Sequence, residues 1–246
     1  MKRFQNDVIY RYTNTDEILN TIHVHSLFAI GEVVKPNQTH AEYVTYDLGC
    51  HSDICLHFKQ IDFGKIVEFF RNSEHAFGTF ATKFVNYELL KYNPKGKIRV
   101  RISLIPNDIK IKTQGEVQHP GNFQLILFGN KLKEAGYEVH ISFAPIILRN
   151  GSFNYYKNLL TMVEEDYEGD RFCECILLTH NKSKHAMNMV NDYEHEDLLW
   201  NPNLQVSKQS QYGGENVRYK DKAILIDKFV AVMNKYAPSM KIRYIF

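Results

Sequence analysis

The sequence predicts an α/β protein with about five or six parallel strands. Segments rich in β-branched and aromatic residues alternate with segments whose apolar residues have helical spacing. Helix-length connections imply right-handed crossovers, which place the strands parallel in one sheet. A partial (β/α) barrel and an open doubly wound sheet both satisfy this pattern. In both folds, ligands bind at the carboxyl ends of the strands.

Each element is predicted from its own pattern. The expected strands cover residues 8–12, 43–48, 77–84, 98–102, 137–148 and 172–178. The expected helices cover residues 16–22, 63–70, 123–135, 155–163, 181–193 and 223–236. Gly136 follows the third helix as a C′ glycine. The polar, glycine-containing stretch 201–222 is expected to be a hairpin excursion, and residues 223–246 a terminal helix and strand.

Composition indicates one globular domain over residues 1–246. The chain is 44% hydrophobic, which is sufficient for a sizeable core, and it has no repeat or evident linker. The net charge of +2 does not by itself demand a nucleic-acid partner. The amino terminus lacks the pattern of a secretory signal, and no apolar run approaches the about 20 residues of a membrane span. We therefore expect a cytoplasmic protein with reduced cysteines and no membrane association.

Several reactive or ligand-binding side chains lie near the carboxyl ends of the expected strands or directly after them. They are Cys50, Ser52, Lys83, Ser103 and His180, with the small residue Ala144 among them. A lysine among apolar neighbours, such as Lys83, is costly unless it meets an anion. Plain structural alternatives remain, because a lone cysteine is commonly inert and a lysine can extend its amine to solvent.

The cysteine spacing does not predict a metal site. Cys173 and Cys175 lie on one face of a strand, and Cys50 and Cys55 are five residues apart. Zinc sites use two cysteines two to four residues apart in a turn, together with two further ligands. None of the four cysteines belongs to such a set.

Five segments resemble the spore photoproduct lyase family, in the same order and spacing. They are residues 49–54 (GCHSDI), 80–84 (FATKF), 96–103 (GKIRVRIS), 144–146 (API), and the tail with Tyr212-Gly213-Gly214, Val217-Arg218-Tyr219 and Lys241 to Phe246. No single segment is decisive, but together they cover nearly the whole chain from about Val8.

The resemblance implies a fold, an activity and roles for several residues. The fold is a partial (β/α) barrel of the radical S-adenosylmethionine (SAM) type, and the activity is a lyase repair of thymine dimers in DNA. Cys50 matches the cysteine that returns a hydrogen atom to the substrate radical. SAM-binding positions of the family match Ser52, Lys83, Ser103 and Ala144.

One part of the family pattern is missing from these 246 residues. The family holds a [4Fe–4S] cluster with Cys-x3-Cys-x2-Cys, located before the segment that matches Val8. That spacing occurs nowhere in the sequence. We therefore expect the post-cluster portion of a truncated or split gene product, with the cluster segment on a separate polypeptide. Radical chemistry by this chain alone is then improbable.

DNA is the partner that the resemblance implies. Basic and aromatic residues gather within the 201–222 excursion, a combination that suits phosphate contact and base stacking. They include Lys208, Tyr212, Arg218 and Tyr219. A solvated hairpin packed on the final helix explains the same composition.

Two further hypotheses for the function remain open. The chain can be a non-catalytic barrel remnant that binds nucleotides or nucleic acid. It can also be an unrelated cytosolic α/β enzyme that uses Cys50 as its nucleophile.

Overall fold

The structure is a computed structural model of the 246-residue chain. It describes residues 14–30, 38–49, 53–109, 120–147, 151–178, 186, 189–190, 206–209, 215–217 and 219–245. The strand expected at 8–12 and most of the helix expected at 181–193 lie outside these residues. Among the described helices, none is long and apolar enough to cross a bilayer.

The described residues form helices and strands that alternate along most of the chain. The helices are α1 (Thr15–Phe28), α2 (Ile54–His57), α3 (Phe63–Asn72), α4 (Asn122–Glu134), α5 (Tyr156–Asp166) and α6 (Tyr219–Tyr236). The strands are β1 (Val44–Asp47), β2 (Ala76–Thr82), β3 (Ile98–Leu104), β4 (Glu138–Ile146), β5 (Phe172–Leu177), β6 (Val206–Gln209), β7 (Glu215–Val217) and β8 (Lys241–Ile245). The main sheet has the strand order β1-β2-β3-β4-β5-β8. The prediction of an α/β protein with about six parallel strands is confirmed.

The chain divides into two compact units. The first contains α1 to α4, β1 to β3 and the beginning of β4. The second contains the end of β4, α5, α6 and β5 to β8.

Helix α3 covers one face of β2 in the first unit. Its buried residues Phe63, Val67 and Phe70 recur at helical spacing and form one apolar stripe. Gly78 on β2 lies beneath this stripe, where an added Cβ would come within 3.3 Å of the Phe70 ring. Glycine therefore lets the helix approach the sheet closely. Burial of each phenylalanine contributes about 1.5–3 kcal/mol.

Helix α4 ends in a Schellman motif. Gly136 has φ +94°, a left-handed conformation that favours glycine. Its N–H donates to Lys133 O at 3.0 Å, and the Tyr137 N–H donates to Leu132 O at 3.0 Å. The expected C′ role of Gly136 is confirmed, and the motif turns the chain directly into β4.

A buried charged network lies at the amino-terminal ends of β3 and β4. The carboxylate of Glu138 accepts from Arg99 Nε at 2.5 Å, from His140 Nε2 at 3.0 Å and from His40 Nε2 at 2.6 Å. Burial alone would raise the pKa of Glu138, but the hydrogen bonds from both histidines and the charge of Arg99 hold it well below its usual range. The Arg99 side chain is 0% exposed, so this carboxylate compensates a fully buried cation.

The second unit has an aromatic core around α6. Phe229 packs against Phe143, Phe153 and Tyr156 with ring-centroid distances of 5.3–6.5 Å. The Tyr156 hydroxyl donates to Pro145 O at 3.0 Å, which satisfies a polar atom inside this core. Strand β8 pairs parallel with β5. The terminal helix and strand predicted from the sequence are therefore both present.

The excursion before α6 contains an antiparallel hairpin. Strands β6 and β7 pair with Val206 opposite Val217 and Gln209 opposite Glu215. The hairpin expected within 201–222 is confirmed, but its expected end is wrong. Helix α6 begins at Tyr219, inside that range and four residues before the expected start at 223.

Candidate functional site

The carboxyl ends of β1, β2 and β3 form one polar edge in the first unit. The three strands are parallel, with Asp47 opposite Thr79 and Thr82 opposite Ile102. Parallel strands present their carboxyl ends at the same edge of the sheet, where α/β proteins bind ligands. We use the term carboxyl edge for the polar residues at or near these ends, which are Asp47, Asp53, Thr82, Lys83, Arg101 and Ser103.

Asp53 connects α2 with the end of β2. It is the N-cap of α2, and its Oδ1 accepts from Cys55 N at 3.0 Å. The same oxygen accepts from Thr82 Oγ1 at 2.9 Å, and Oδ2 accepts from Lys83 N at 2.8 Å. Burial raises the pKa of Asp53, while these hydrogen bonds and the nearby His57 act in the opposite direction. One carboxylate therefore fixes two separate pieces of the carboxyl edge.

Lys83 is the second cation of this edge, besides Arg101. Its side chain is half-buried directly after the last residue of β2. Burial lowers the pKa of Lys83, and the charge of Asp53 partly restores it. A desolvated ammonium beside a carboxylate that is already engaged by three donors retains capacity for another anion. This position agrees with the prediction that Lys83 meets a ligand anion, and the ligand role itself stays a prediction.

Asp47 and Arg101 form a second connection across the edge. Arg101 Nη2 donates to Asp47 Oδ2 at 2.6 Å, and Asp47 Oδ1 accepts from Gly49 N at 3.1 Å. This ion pair is largely buried, with side-chain exposures of 11% and 24%. It ties the turn after β1 to β3, so the turn begins from a fixed backbone position.

Ser103 and Ala144 are placed near strand ends, as expected. Ser103 is buried at the penultimate position of β3 in the first unit. Ala144 is half-buried near the end of β4 and belongs to the second unit. Their expected contacts with SAM stay predictions.

The remaining site residues lie outside what the structure describes. Cys50 and Ser52 lie in the sequence between Gly49 and Asp53, which are both described. His180, Tyr212 and Arg218 are likewise outside the described residues. Lys208 and Tyr219 are described by backbone alone, in β6 and at the first position of α6 respectively. The DNA contacts expected of Lys208, Tyr212, Arg218 and Tyr219 therefore stay predictions, as do the roles of Cys50 and Ser52.

The described cysteines do not fit an iron–sulfur cluster. Cys55, Cys173 and Cys175 are all buried free thiols. Burial raises the pKa of Cys55 to about 12, whereas a cluster requires thiolates. Within the described ranges, no group of three or more histidine, cysteine, aspartate or glutamate side chains is arranged to hold a metal ion. The absence of a metal site from the whole chain stays a prediction.

Sequence reasoning gave no role to Asp53, Asp47 or Arg101. Asp53 belongs to the motif at residues 49–54, and an aspartate directly before a short apolar helix is a typical N-cap. Arg101 belongs to an alternating run on β3, whose second arginine could have indicated a polar sheet face. Asp53 contacts Thr82, which lies 29 positions away, and Arg101 contacts Asp47, which lies 54 positions away. Sequence pattern alone could not identify these pairs.

The comparisons with known proteins identify the family. The sequence model of the spore photoproduct lyase family matches residues 5–246. The chain is similar to the solved structure of a cysteine-to-serine mutant of spore photoproduct lyase, with a TM-score of 0.75 and 19% identity. It is also similar to a spore photoproduct lyase variant with bound AdoMet and dinucleoside spore photoproduct, with a TM-score of 0.71 and 19% identity. A tyrosine-to-phenylalanine mutant gives a TM-score of 0.74 and 20% identity.

Each of these matches covers 96% of this chain and 68% of the solved chain. At such identities the similarity establishes the fold, which confirms the partial barrel of the radical SAM type. No curated protein matches the sequence. The family match excludes the alternative of an unrelated α/β enzyme.

Proposed function

Because this chain belongs to the spore photoproduct lyase family, we propose that it forms the SAM- and lesion-binding part of a DNA-repair lyase. The observation that carries the proposal is the half-buried Lys83 at the carboxyl end of β2, held beside Asp53. A cation in this position suits the carboxylate of the methionine part of SAM. A solved relative of the same fold contains bound AdoMet and dinucleoside spore photoproduct.

The residues of this chain have separate roles in the proposal. Lys83 binds the SAM carboxylate, while Ser52, Ser103 and Ala144 contact other parts of the cofactor. Bound SAM supplies the group that removes a hydrogen atom from the lesion. Cys50 returns a hydrogen atom to the substrate carbon radical, because its S–H bond is weak enough to break in favour of a C–H bond. This step leaves a sulfur radical on Cys50 and a closed-shell product.

The iron–sulfur cluster requires ligands beyond these 246 residues. The described cysteines are buried and do not form a three-thiolate set, and the family spacing is absent from the sequence. We therefore propose that a separate polypeptide segment carries the cluster, and we derive no step of SAM cleavage from this chain. Anaerobic reconstitution of this chain with iron and sulfide should give no four-iron absorption band. Appearance of that band would contradict the ligand assignment.

DNA is the macromolecular substrate in this proposal, which places the protein in the cytoplasm with the chromosome. Lys208 lies on β6 and Tyr219 begins α6, and Tyr212 and Arg218 belong to the same stretch of sequence. These residues contact phosphates and stack on bases near the lesion. Strands β6 and β7 pair antiparallel, so Lys208 lies within a regular hairpin.

Calorimetric titration with SAM tests the cofactor site. Lys83→Met should weaken SAM binding about tenfold or more, because a charged hydrogen bond contributes about 1.5–3 kcal/mol. Binding of adenosine, which lacks the methionine part, should be unchanged. Lys59→Met is the matched control, since Lys59 is exposed and follows α2 on the surface. Equal SAM affinity of the wild type and Lys83→Met would refute the proposed site.

Fluorescence anisotropy with a dimer-containing oligonucleotide tests the DNA surface. Replacing both Arg218 and Tyr219 with alanine should weaken binding and reduce its dependence on salt, because a phosphate contact is lost. Lys235→Ala removes one exposed positive charge from the last turn of α6 and serves as the control. Unchanged affinity of the double variant would exclude the hairpin as the DNA surface.

The missing ligand set favours one second candidate, a barrel that binds nucleotides or nucleic acid without lyase chemistry. Adding the cluster-bearing segment of a family member in trans distinguishes the two candidates. Recovery of the four-iron absorption band and of lesion cleavage supports the lyase. Retained SAM and DNA binding without either signal supports the binding protein.

A further inference from the structure

Asp53 has a position in the carboxyl edge that neither the family match nor the sequence motif explains. We propose that Asp53 is a positioning residue, which fixes the end of β2 and holds a carboxylate near Lys83, where that residue binds an anionic ligand. The identity of that anion as the SAM carboxylate rests on the proposed function. The effect of Asp53 on Lys83 does not.

The geometry indicates more than a helix cap. A cap needs one acceptor, and Asp62 shows the simple case in the same chain, where Oδ1 accepts from Lys65 N at 3.1 Å at the start of α3. Asp53 uses both carboxylate oxygens. Two of its three donors belong to Thr82, the last residue of β2, and to Lys83, which follows it. A residue that only began α2 would have no need to contact β2.

The contact with β2 is reinforced by a local turn. Thr82 is almost fully buried, and its Oγ1 accepts from Phe84 N at 3.0 Å while it donates to Asp53. The backbone on both sides of Lys83 is thus held by one carboxylate and one hydroxyl. The Lys83 side chain therefore starts from a fixed backbone position.

The electrostatics support the same role. Burial disfavours the ammonium form of Lys83, and Asp53 is the described charged residue that opposes this effect. The His57 side chain on α2 in turn favours the carboxylate form of Asp53. Loss of the Asp53 charge should therefore shift Lys83 toward the neutral amine, which binds an anion weakly.

Titration of Lys83 tests the inference without any ligand. The rate of brief amine acylation is measured across pH by mass spectrometry of the peptide that contains Lys83. In Asp53→Asn, the pKa of Lys83 should fall relative to the wild type, because the negative charge that raises it is removed. In Asp62→Asn, the matched cap variant, it should not change. Identical Lys83 titration in Asp53→Asn and the wild type would overturn the inference.

A double-mutant cycle tests the connection to the ligand. Asp53→Asn should weaken SAM binding about fivefold in the wild type and have no effect in the Lys83→Met background. Equal loss in both backgrounds would mean that Asp53 acts through the fold alone, which would overturn the positioning role. If the wild type does not bind SAM, the proposed function fails, and the Lys83 titration still decides the role of Asp53.

Asparagine and serine are both good N-caps, so the variants preserve the start of α2. Circular dichroism confirms that each variant is folded before it is titrated. Should Asp53→Asn not fold, Asp53→Ser provides the same neutral substitution with a shorter side chain. The result expected for Asp53→Ser, and the result that would overturn the inference, are the same as for Asp53→Asn.

Discussion

Replacing Glu138 with glutamine should destabilise the protein strongly. Glu138 forms an ion pair with Arg99 Nε at 2.5 Å, and the Arg99 side chain is 0% exposed. Glutamine keeps the size of glutamate but removes the charge. When its amide nitrogen replaces Oε2, the N–H₂ group faces His40 Nε2, which contacts this carboxylate oxygen in the wild type. The variant therefore removes the negative charge that faces the buried Arg99 guanidinium.

The structure sets the size of the effect. Removing one partner of a buried ion pair costs about 3–5 kcal/mol, because the other charge remains buried without compensation. With an m-value of about 2.5 kcal/mol/M, the urea midpoint should fall by roughly 1–2 M. This is a large part of a typical total stability of about 5–15 kcal/mol.

Urea unfolding followed by circular dichroism measures the loss. Glu88→Gln is the control, since Glu88 pairs with Lys91 at 2.7 Å on the surface and should leave the midpoint unchanged. Adding Arg99→Met to Glu138→Gln should recover much of the loss, because the buried positive charge that faced Glu138 is then removed as well. A midpoint for Glu138→Gln equal to that of Glu88→Gln would refute the reasoning.

Three further outcomes follow from the described residues. The folded-state pKa of Glu138 is lowered from its ordinary value of 4.5, so its stabilising contribution is present above that pH and lost as the pH falls below it. The stability difference between the wild type and Glu138→Gln should thus be constant near neutrality and shrink in acid; a pH-independent difference contradicts this. Gly136→Ala should cost more than Gly96→Ala in urea unfolding. Both residues have positive φ, but an added Cβ overlaps Asn93 only at Gly136, whereas at Gly96 it meets open space. Burial raises the pKa of Cys55 to about 12, so iodoacetamide at pH 8 should label it only as the protein unfolds, and rapid labelling of the native protein would show that the thiol is accessible.

Periodicity along the chain was sufficient to predict most of the fold. Alternating apolar and charged residues mark β3, and a helical apolar stripe marks α3, because one face of each must be buried. Gly136 marked the end of α4 because glycine readily adopts the left-handed conformation there. The start of α6 was predicted too late, since the polar residues at 219–222 match a loop pattern as well as the first turn of a helix.

The candidate site was predictable only in part. Strand-end placement drew attention to Lys83 and Ser103, because the carboxyl ends of parallel strands bind ligands. The motif similarity gave the family, which the sequence match over residues 5–246 established. Neither strand-end placement nor motif similarity indicates which contacts hold Lys83 in position.

The sequence by itself determined the fold class, the family and the absence of the cluster spacing within these 246 residues. All three are properties of order and spacing along the chain. Tertiary structure alone decided that Asp53 reaches across to β2 and that Arg99, His40 and His140 share the carboxylate of Glu138. Those contacts join residues that are 30 or more positions apart, with the exception of the neighbouring His140. Hydrogen bonds and ion pairs depend on distances of about 3 Å in space, which no pattern along the chain specifies.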